Sequence, residues 1–456
     1  MAAIQFALEI GSALVRYHPL ARGKSYVRSS SFAEEGPMRG VREVNVFALV
    51  ATLGFAAFGG LAVPARAQAP ASTATAFEGA RLIIGDGRMI ENGTLIVDGS
   101  RIIQAGAAAD VRVPAGATRV NLAGKTVMPM LIDTHTHLSQ TREGLTADLT
   151  RRVYYGISAT QSMGTAETDA ELQLQHQIIP GQAELFTAWR GISRPEPGRG
   201  MGPYWINSEE EGRKAVQELA AKKVDIIKIW VDDRDGKYPK LTPAQYSAII
   251  DEAHKNGLRA TAHIFTLEDA KGVLRAGIDA FAHSVRDRDI DDEFMDLVRK
   301  HPNLVVNPNL PDRGVKTDVA WLRASLPAAE MTKVEEGNTD RPKAQDFYGI
   351  QARNTARLNA AGVRIVLGTD GNTPWAPHVE MADMVAAGMT PMQVIVASTR
   401  NAAAFLRKAD GGTLEPGKSA DFIVLDANPL DDITNTRKIS DVYLQGAKLD
   451  RSKPPQ

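Results

Sequence analysis

The chain has 456 residues, with 53 Lys and Arg against 54 Asp and Glu, and no cysteine. Its near-neutral charge provides no field to attract nucleic acid or a membrane surface, and the missing cysteine excludes disulfides, thiolate zinc sites and cysteine nucleophiles. The length suits one large α/β domain with a smaller companion, and any metal must be held by nitrogen and oxygen.

Residues 1–37 show no sustained period and read as an overlong start. Met38, Arg39 and Arg42 then lead into the apolar run Val46–Val63, followed by Pro64 and the small-x-small signal Ala65-Arg66-Ala67. This pattern predicts a signal peptide over 38–67, cleavage after Ala67 and export, to the periplasm in a bacterium. An 18-residue apolar run could also just span a bilayer as an anchor. Its glycines and the Ala-Arg-Ala ending favour cleavage, leaving no stable membrane insertion.

Residues 76–128 form short β-rich pieces, with turns expected at Asp86-Gly87, Asn92-Gly93 and Asp98-Gly99. The same texture returns over 409–452, in GGTLEPGKSADFIVLDA and SDVYLQGAKLD. The two ends together suggest one small composite β-sandwich. Between them, over 129–408, strands alternate with helices. The strand candidates are 131–138, 156–163, 183–190, 224–231, 259–265, 280–284, 304–309 and 364–370, which is a (β/α)8 TIM barrel by count. Ser208 with Glu211, Thr242 before Pro243, and Thr266 are helix starts, and Gly257 is a stop. Two connections are unusually long, 191–207 and 310–347, the second with a helix expected around DVAWLRASL. Both follow barrel strands and are candidate lids or substrate walls.

Six residues at the ends of these strands carry metal-competent chemistry: His135, His137, Lys228, His263, His283 and Asp370. His135 and His137 share one side of a strand because side chains alternate with period two. Lys228 lies in the apolar run VDIIKIWV. A snorkelling rim lysine is the ordinary reading; a buried one loses its preference for charge, and its neutral amine can take up carbon dioxide as a carbamate with two oxygens. His263 and His283 are 20 residues apart, one strand-helix step, though either alone is more often a core histidine than a ligand. Asp370 ends RIVLGTDG, suited to general-base work, with Gly368 and Gly371 allowing close backbone approach.

Most other histidines read as ordinary. His254, His176 and His301 are placed on helices or helix ends, and His18 precedes the mature chain. His378 follows Asp370 in a loop at the chemistry face and is a candidate substrate contact. Arg190, Tyr204, Trp205, Trp230 and Trp375 fall on strand ends or the loops after them. They suit an aromatic pocket with a cation for a substrate carboxylate, or simple loop packing.

With these residues in place, 76–452 resembles the amidohydrolase superfamily. The branch indicated is the imidazolonepropionase-like hydrolases and their lysine-bearing Xaa-Pro dipeptidase-like relatives. The likeness rests on KTVMPMLIDTHTHL, DIIKIW, the spacing of His263 and His283, LGTDG, ASTRNAAAFL and GGTLEPGKSADFIVLD. It implies two divalent ions, zinc by default. His135, His137 and Asp370 would hold one, His263 and His283 the other, with carboxylated Lys228 bridging both and a hydroxide between them. Asp370 would move the proton to the leaving nitrogen. Met130 stands where the family usually has Gly, Phe265 where many relatives have a second His, and Ala282 and Ser284 flank His283 where Glu and Gly are common. Imidazolonepropionase itself lacks the lysine, which argues against that activity. The implied function is hydrolysis of an amide in a small molecule: peptide-like, N-acyl amino acid or cyclic. The same centre would also serve an ester, lactone or phosphoester, and a non-catalytic scaffold is the remote third reading. The oligomeric state is not readable.

Overall fold

The structure, a computed structural model, describes residues 73–198 and 202–454. The predicted start and signal peptide, 1–37 and 38–67, lie outside the described residues. Among the described residues no helix is long and apolar enough to cross a membrane.

Strands from both chain ends build one eight-stranded sheet. Thr126–Pro129 pairs antiparallel with Phe422–Leu425, setting Val127 opposite Val424. Alternation sends one side chain in two to a shared apolar cluster, where Phe77, Phe422 and Tyr443 meet with ring centroids 4.5 to 5.1 Å apart. Gly99 turns Met89–Asp98 into Arg101–Ala107 at φ +55°. Asn92-Gly93 is not a turn. It lies inside Met89–Asp98, where Asn92 adopts φ +46° at a register irregularity against Ala80. The reason is packing: a Cβ on Gly93 would lie 2.5 Å from Leu82 Cγ.

The eight parallel strands appear at the expected places: Leu131–Thr136, Ile157–Ser162, Glu184–Thr187, Ile227–Val231, Ala260–Ile264, Ala280–Phe281, Val305–Val306 and Arg364–Ile365. Their spatial order follows the chain. The third approaches the fourth through Asp225 N–H to Thr187 O (2.9 Å), and the segment after the eighth bonds to the first through Thr134 N–H to Leu367 O (3.0 Å). Several are shorter than expected at their C-terminal ends. The helix starts hold: Ser208, Thr242 and Thr266 accept from the backbone N–H of Glu211, Gln245 and Asp269.

The long connections differ from expectation. Within 191–207, Ile192–Ser193 and Tyr204–Trp205 pair with each other, and Ile192 pairs with Ile229. The DVAWLRASL stretch makes only one 3-10 turn, Ala320–Leu322, and the α-helix is Ala328–Gly337. Pro327 disfavours the helical region for Leu326 and so delays the start.

His176 lies at the end of helix Ala170–Leu174, just after its C-cap, at φ +57°, with Nε2 2.9 Å from Asp225 Oδ1 and Nδ1 3.6 Å from Glu184 Oε1. Hydrogen bonds to Asp225 and then Glu184 raise its pKa to about 9. A raised folded-state pKa stabilises fully below the unfolded value near 6.5 and is lost as pH rises through about 9. The ring is 48% exposed, so solvent screening limits the effect to about 1 kcal/mol or less. His176→Gln is therefore expected to lower the melting temperature at pH 6 and to leave it nearly unchanged above pH 9.5. Equal shifts at both pH values would contradict this.

Candidate metal centre

Four strand ends, of the first, fifth, sixth and eighth strands, meet through His135, His137, His263, His283 and Asp370. His135 lies in the first strand and His137 just after it, with ring centroids 5.2 Å apart. The segment after the eighth strand passes beside His135 only because residue 368 is glycine: a Cβ there would lie 2.0 Å from Asn307 Nδ2 and 2.8 Å from His135 Cβ. Gly371 has no such need, since its Cβ would meet nothing nearer than Thr369 O at 3.8 Å. Asp370 adopts φ +53°, a left-handed conformation costly for a residue with a side chain and concentrated at functional sites. Its N–H bonds to His135 O at 2.8 Å. Its carboxylate thereby faces three imidazoles: Oδ1 is 2.9 Å from His137 Nε2 and 3.2 Å from His135 Nε2, and Oδ2 is 3.7 Å from His283 Nε2. Donor atoms of His135, His283 and Asp370 all lie within 4.8 Å of one another.

Each of three rings is backed on its far side. His135 Nδ1 faces Ala282 O at 3.2 Å and the Asn309 amide at 2.8 Å; His137 Nδ1 faces Thr165 Oγ1 at 3.0 Å; His263 Nε2 faces Asp232 Oδ2 at 3.0 Å. Such partners hold the rings in place and leave the other nitrogen for an ion. Burial, reinforced by Lys228, pushes His135 down to about 3, so the ring is neutral. Its buried Nε2 has no hydrogen-bond partner. With the proton on Nδ1, a lone pair there faces a carboxylate oxygen, an arrangement that a cation between them satisfies. Burial alone would raise Asp370, yet the surrounding imidazoles of His283, His135 and His137 hold it well below the usual carboxylate range. These residues fit a divalent ion.

His263 and His283 stand with ring centroids 4.5 Å apart, both held neutral by burial. His283 differs from the others in its backing, since its Nδ1 receives a hydrogen bond from Arg286. Lys228 is 1% exposed, with Nζ 5.4 Å from the Trp230 ring centre. Burial, with Arg286 and Arg234 adding and Asp370 opposing, brings its amine down to about 7. A large neutral fraction is therefore present near neutral pH.

The amidohydrolase family matches residues 126–449. The chain belongs to the amidohydrolase family. An imidazolonepropionase of Streptomyces griseus is 25% identical over 371 residues, covering 74% of this chain and 87% of that protein. A Bifidobacterium longum protein assigned as a prolidase is 27% identical in sequence, with a TM-score of 0.69 over 85% of this chain and 97% of that one. A Xaa-Pro dipeptidase solved with methionine in its active site shares the fold, at 21% identity and a TM-score of 0.66 over 83% of this chain and 100% of that one. This amidohydrolase thus has the family's TIM-barrel fold. It is a hydrolase acting on carbon–nitrogen bonds in a family that uses divalent metals.

The expected substrate residues of this amidohydrolase scatter. His378 does not join the centre: it is buried on helix Ala376–Ala386, with Nδ1 on Thr436 Oγ1 at 3.1 Å and Nε2 on Tyr155 O at 2.8 Å, so neither nitrogen is left for substrate. Arg190 spends its guanidinium on the carbonyls of Gly202 and Pro203 and stacks on Tyr204 at 4.6 Å, stapling its own loop. Trp230 is buried and packs into the space left by Gly164 and Gly191, where a Cβ on Gly191 would approach it to 2.2 Å. It forms the wall beside Lys228. Trp205 is half-buried in its short strand. Trp375 packs on Tyr155, 5.9 Å between centroids, and borders a cavity of about 330 Å³ beside Thr369.

Sequence reasoning missed the backing groups. Asp133 lies two residues before His135, hence on its side of the strand. It accepts from Thr369 Oγ1 (2.7 Å) and His135 N–H (3.2 Å), tying the first strand to the Asp370 segment. Burial, partly offset by Arg152, raises it to about 6. Asn309 follows the seventh strand at φ +42°. Asp232 follows the fourth, bonded to Arg234 Nη1 at 2.5 Å. The strand-end rule that located the histidines covers both positions, but Asn and Asp are common in loops and carry no signal alone.

Gly368→Ala is the sharpest test of this packing. Overfilling of about 1–3 kcal/mol is expected, displacing Asn307 or His135. Bound metal measured by plasma mass spectrometry should fall with it; unchanged metal content and activity would contradict the close approach.

Proposed function

We propose that the chain is a binuclear amidohydrolase that cleaves the amide of a small peptide-like, N-acyl amino acid or cyclic-amide substrate. The convergence of Asp370 on three imidazoles at 2.9 to 3.7 Å carries this reading. His135 and His137 with Asp370 would hold one ion, and His263 and His283 the other. Lys228, if carboxylated by carbon dioxide, would add a carbamate as an anionic oxygen ligand to the centre. Zinc is the default for such donors. Ions held there would supply Lewis-acid chemistry, activating a water and polarising the scissile carbonyl.

The protein's own groups supply positioning and proton transfer. Asp370 Oδ1 is turned to His135 and His137, leaving Oδ2 to accept the proton of the attacking water and deliver it to the leaving nitrogen. Asp133 and Asn309 hold the first strand and its ring in register. The prolidase and dipeptidase relatives and the presence of Lys228 favour a peptide-like amide over an imidazolone ring. Export with cleavage after Ala67 belongs to the same proposal, and sequencing the N-terminus of the native protein tests it.

Matched amide and ester substrates presented to zinc-loaded protein separate the alternatives. Amide turnover is the expected result. Turnover of esters or lactones alone would replace the amide reading, and no turnover with less than one equivalent of metal would leave a binding protein.

A further inference from the structure

Arg286 lies three residues beyond His283, its backbone N–H bonded to Phe265 O at 2.9 Å. Its Nη2 donates to His283 Nδ1, and its buried Nε has no hydrogen-bond partner. Among the described residues no carboxylate lies within ion-pair distance of it, although Asp370 and Asp232 both act on its charge. Arg234, by contrast, is matched by Asp232 at 2.5 Å and Glu196 at 3.6 Å. A guanidinium cannot shed its proton, and this half-buried one, with no carboxylate beside it, is placed to receive an anion. An ion on His283 Nε2 would put the ring proton on Nδ1, displace the Arg286 donor from it and make this chamber more cationic still. One bond to His283 leaves four of the five donors, Nε–H among them, free for the two-point grip on a carboxylate that this group favours.

Resting on the amide-hydrolase reading, we propose that Arg286 binds the substrate's carboxylate. The preferred substrates are then amides whose leaving nitrogen carries an α-carboxylate: dipeptides and N-acyl amino acids rather than neutral cyclic amides. The placement suits this, since only the His283 ring stands between Arg286 and Asp370, and an α-carboxylate is one carbon from the scissile nitrogen. Arg190, the cation expected from sequence, is committed to its own loop.

The test compares N-acyl amino acids and dipeptides with their C-terminal carboxamides, using metal-loaded wild type, Arg286→Met and Arg286→Lys. Wild type is expected to prefer the free acids by roughly 100-fold in kcat/KM, the order expected for one desolvated charge pair. Arg286→Met should reduce that preference to a few-fold, mainly through the KM of the free acids. Arg286→Lys should keep part of it. A wild type indifferent to the carboxylate, or a variant that loses both substrate sets equally, overturns the proposal. Calorimetry of free amino acids on the metal-loaded protein separates this from failure of the amide reading. Binding lost in Arg286→Met supports the anchor even if no amide is cleaved, and no binding to wild type refutes it.

Discussion

Asp370→Asn is expected to lower kcat/KM toward the preferred amide by roughly 10³-fold, within the range for loss of a general base. The substitution keeps the shape and the φ +53° backbone, so the loss is chemical. An amide cannot accept the water's proton, and its NH2 group turned to His137 would offer a donor where a lone pair is needed. The surrounding imidazoles hold Asp370 well below the usual carboxylate range, so it stays ionised throughout the physiological range and its own titration should not limit activity above about pH 5. Metal content separates two causes. Retained ions with lost turnover indicate the proton-transfer role; lost ions indicate that the ligand role dominates. Retained turnover would remove Asp370 from the mechanism.

Lys228→Ala should be the more informative loss. If the carbamate joins two ions, removing it should lower bound metal from two equivalents toward one and reduce turnover by on the order of 10²-fold or more, as expected for loss of a group orienting a metal centre. Lys228→Arg should fail similarly, because a guanidinium remains charged and forms no carbamate. A short carboxylate such as propionate, entering the space of the missing side chain, should restore part of both in Lys228→Ala. Two equivalents of metal and full activity in Lys228→Ala would leave the lysine as a packed wall beside Trp230.

Much of the centre was legible because strand ends carry chemistry and strands leave an apolar signature. Most of the eight parallel strands are where Val, Ile, Leu and Ala run together, and His135, His137, His263, His283 and Asp370 sit near or just beyond their C-terminal ends, while Lys228 is second in its strand. What was hidden depends on contacts distant in sequence. His378 has the composition of a substrate contact, but Thr436 and the Tyr155 carbonyl occupy both its nitrogens, and no local pattern announces them. Asn92-Gly93 is a strong turn dipeptide overruled by Leu82 on the neighbouring strand. Arg190 and Arg286 look alike in sequence; only the fold shows that one is tied to loop carbonyls while the other faces His283. Gly368 was readable as a close approach, whereas Gly371 shared the same logic without the contact.

The most direct measurement is metal-dependent turnover with metal analysis on the same sample. Purified protein freed of metal by a chelator should be inactive toward an N-acyl amino acid or dipeptide, and should regain activity in step with zinc up to two equivalents per chain. Full amide hydrolysis by metal-free protein, or zinc-loaded protein that cleaves no amide, would contradict the assignment of His135, His137, Lys228, His263, His283 and Asp370 as a hydrolytic metal centre.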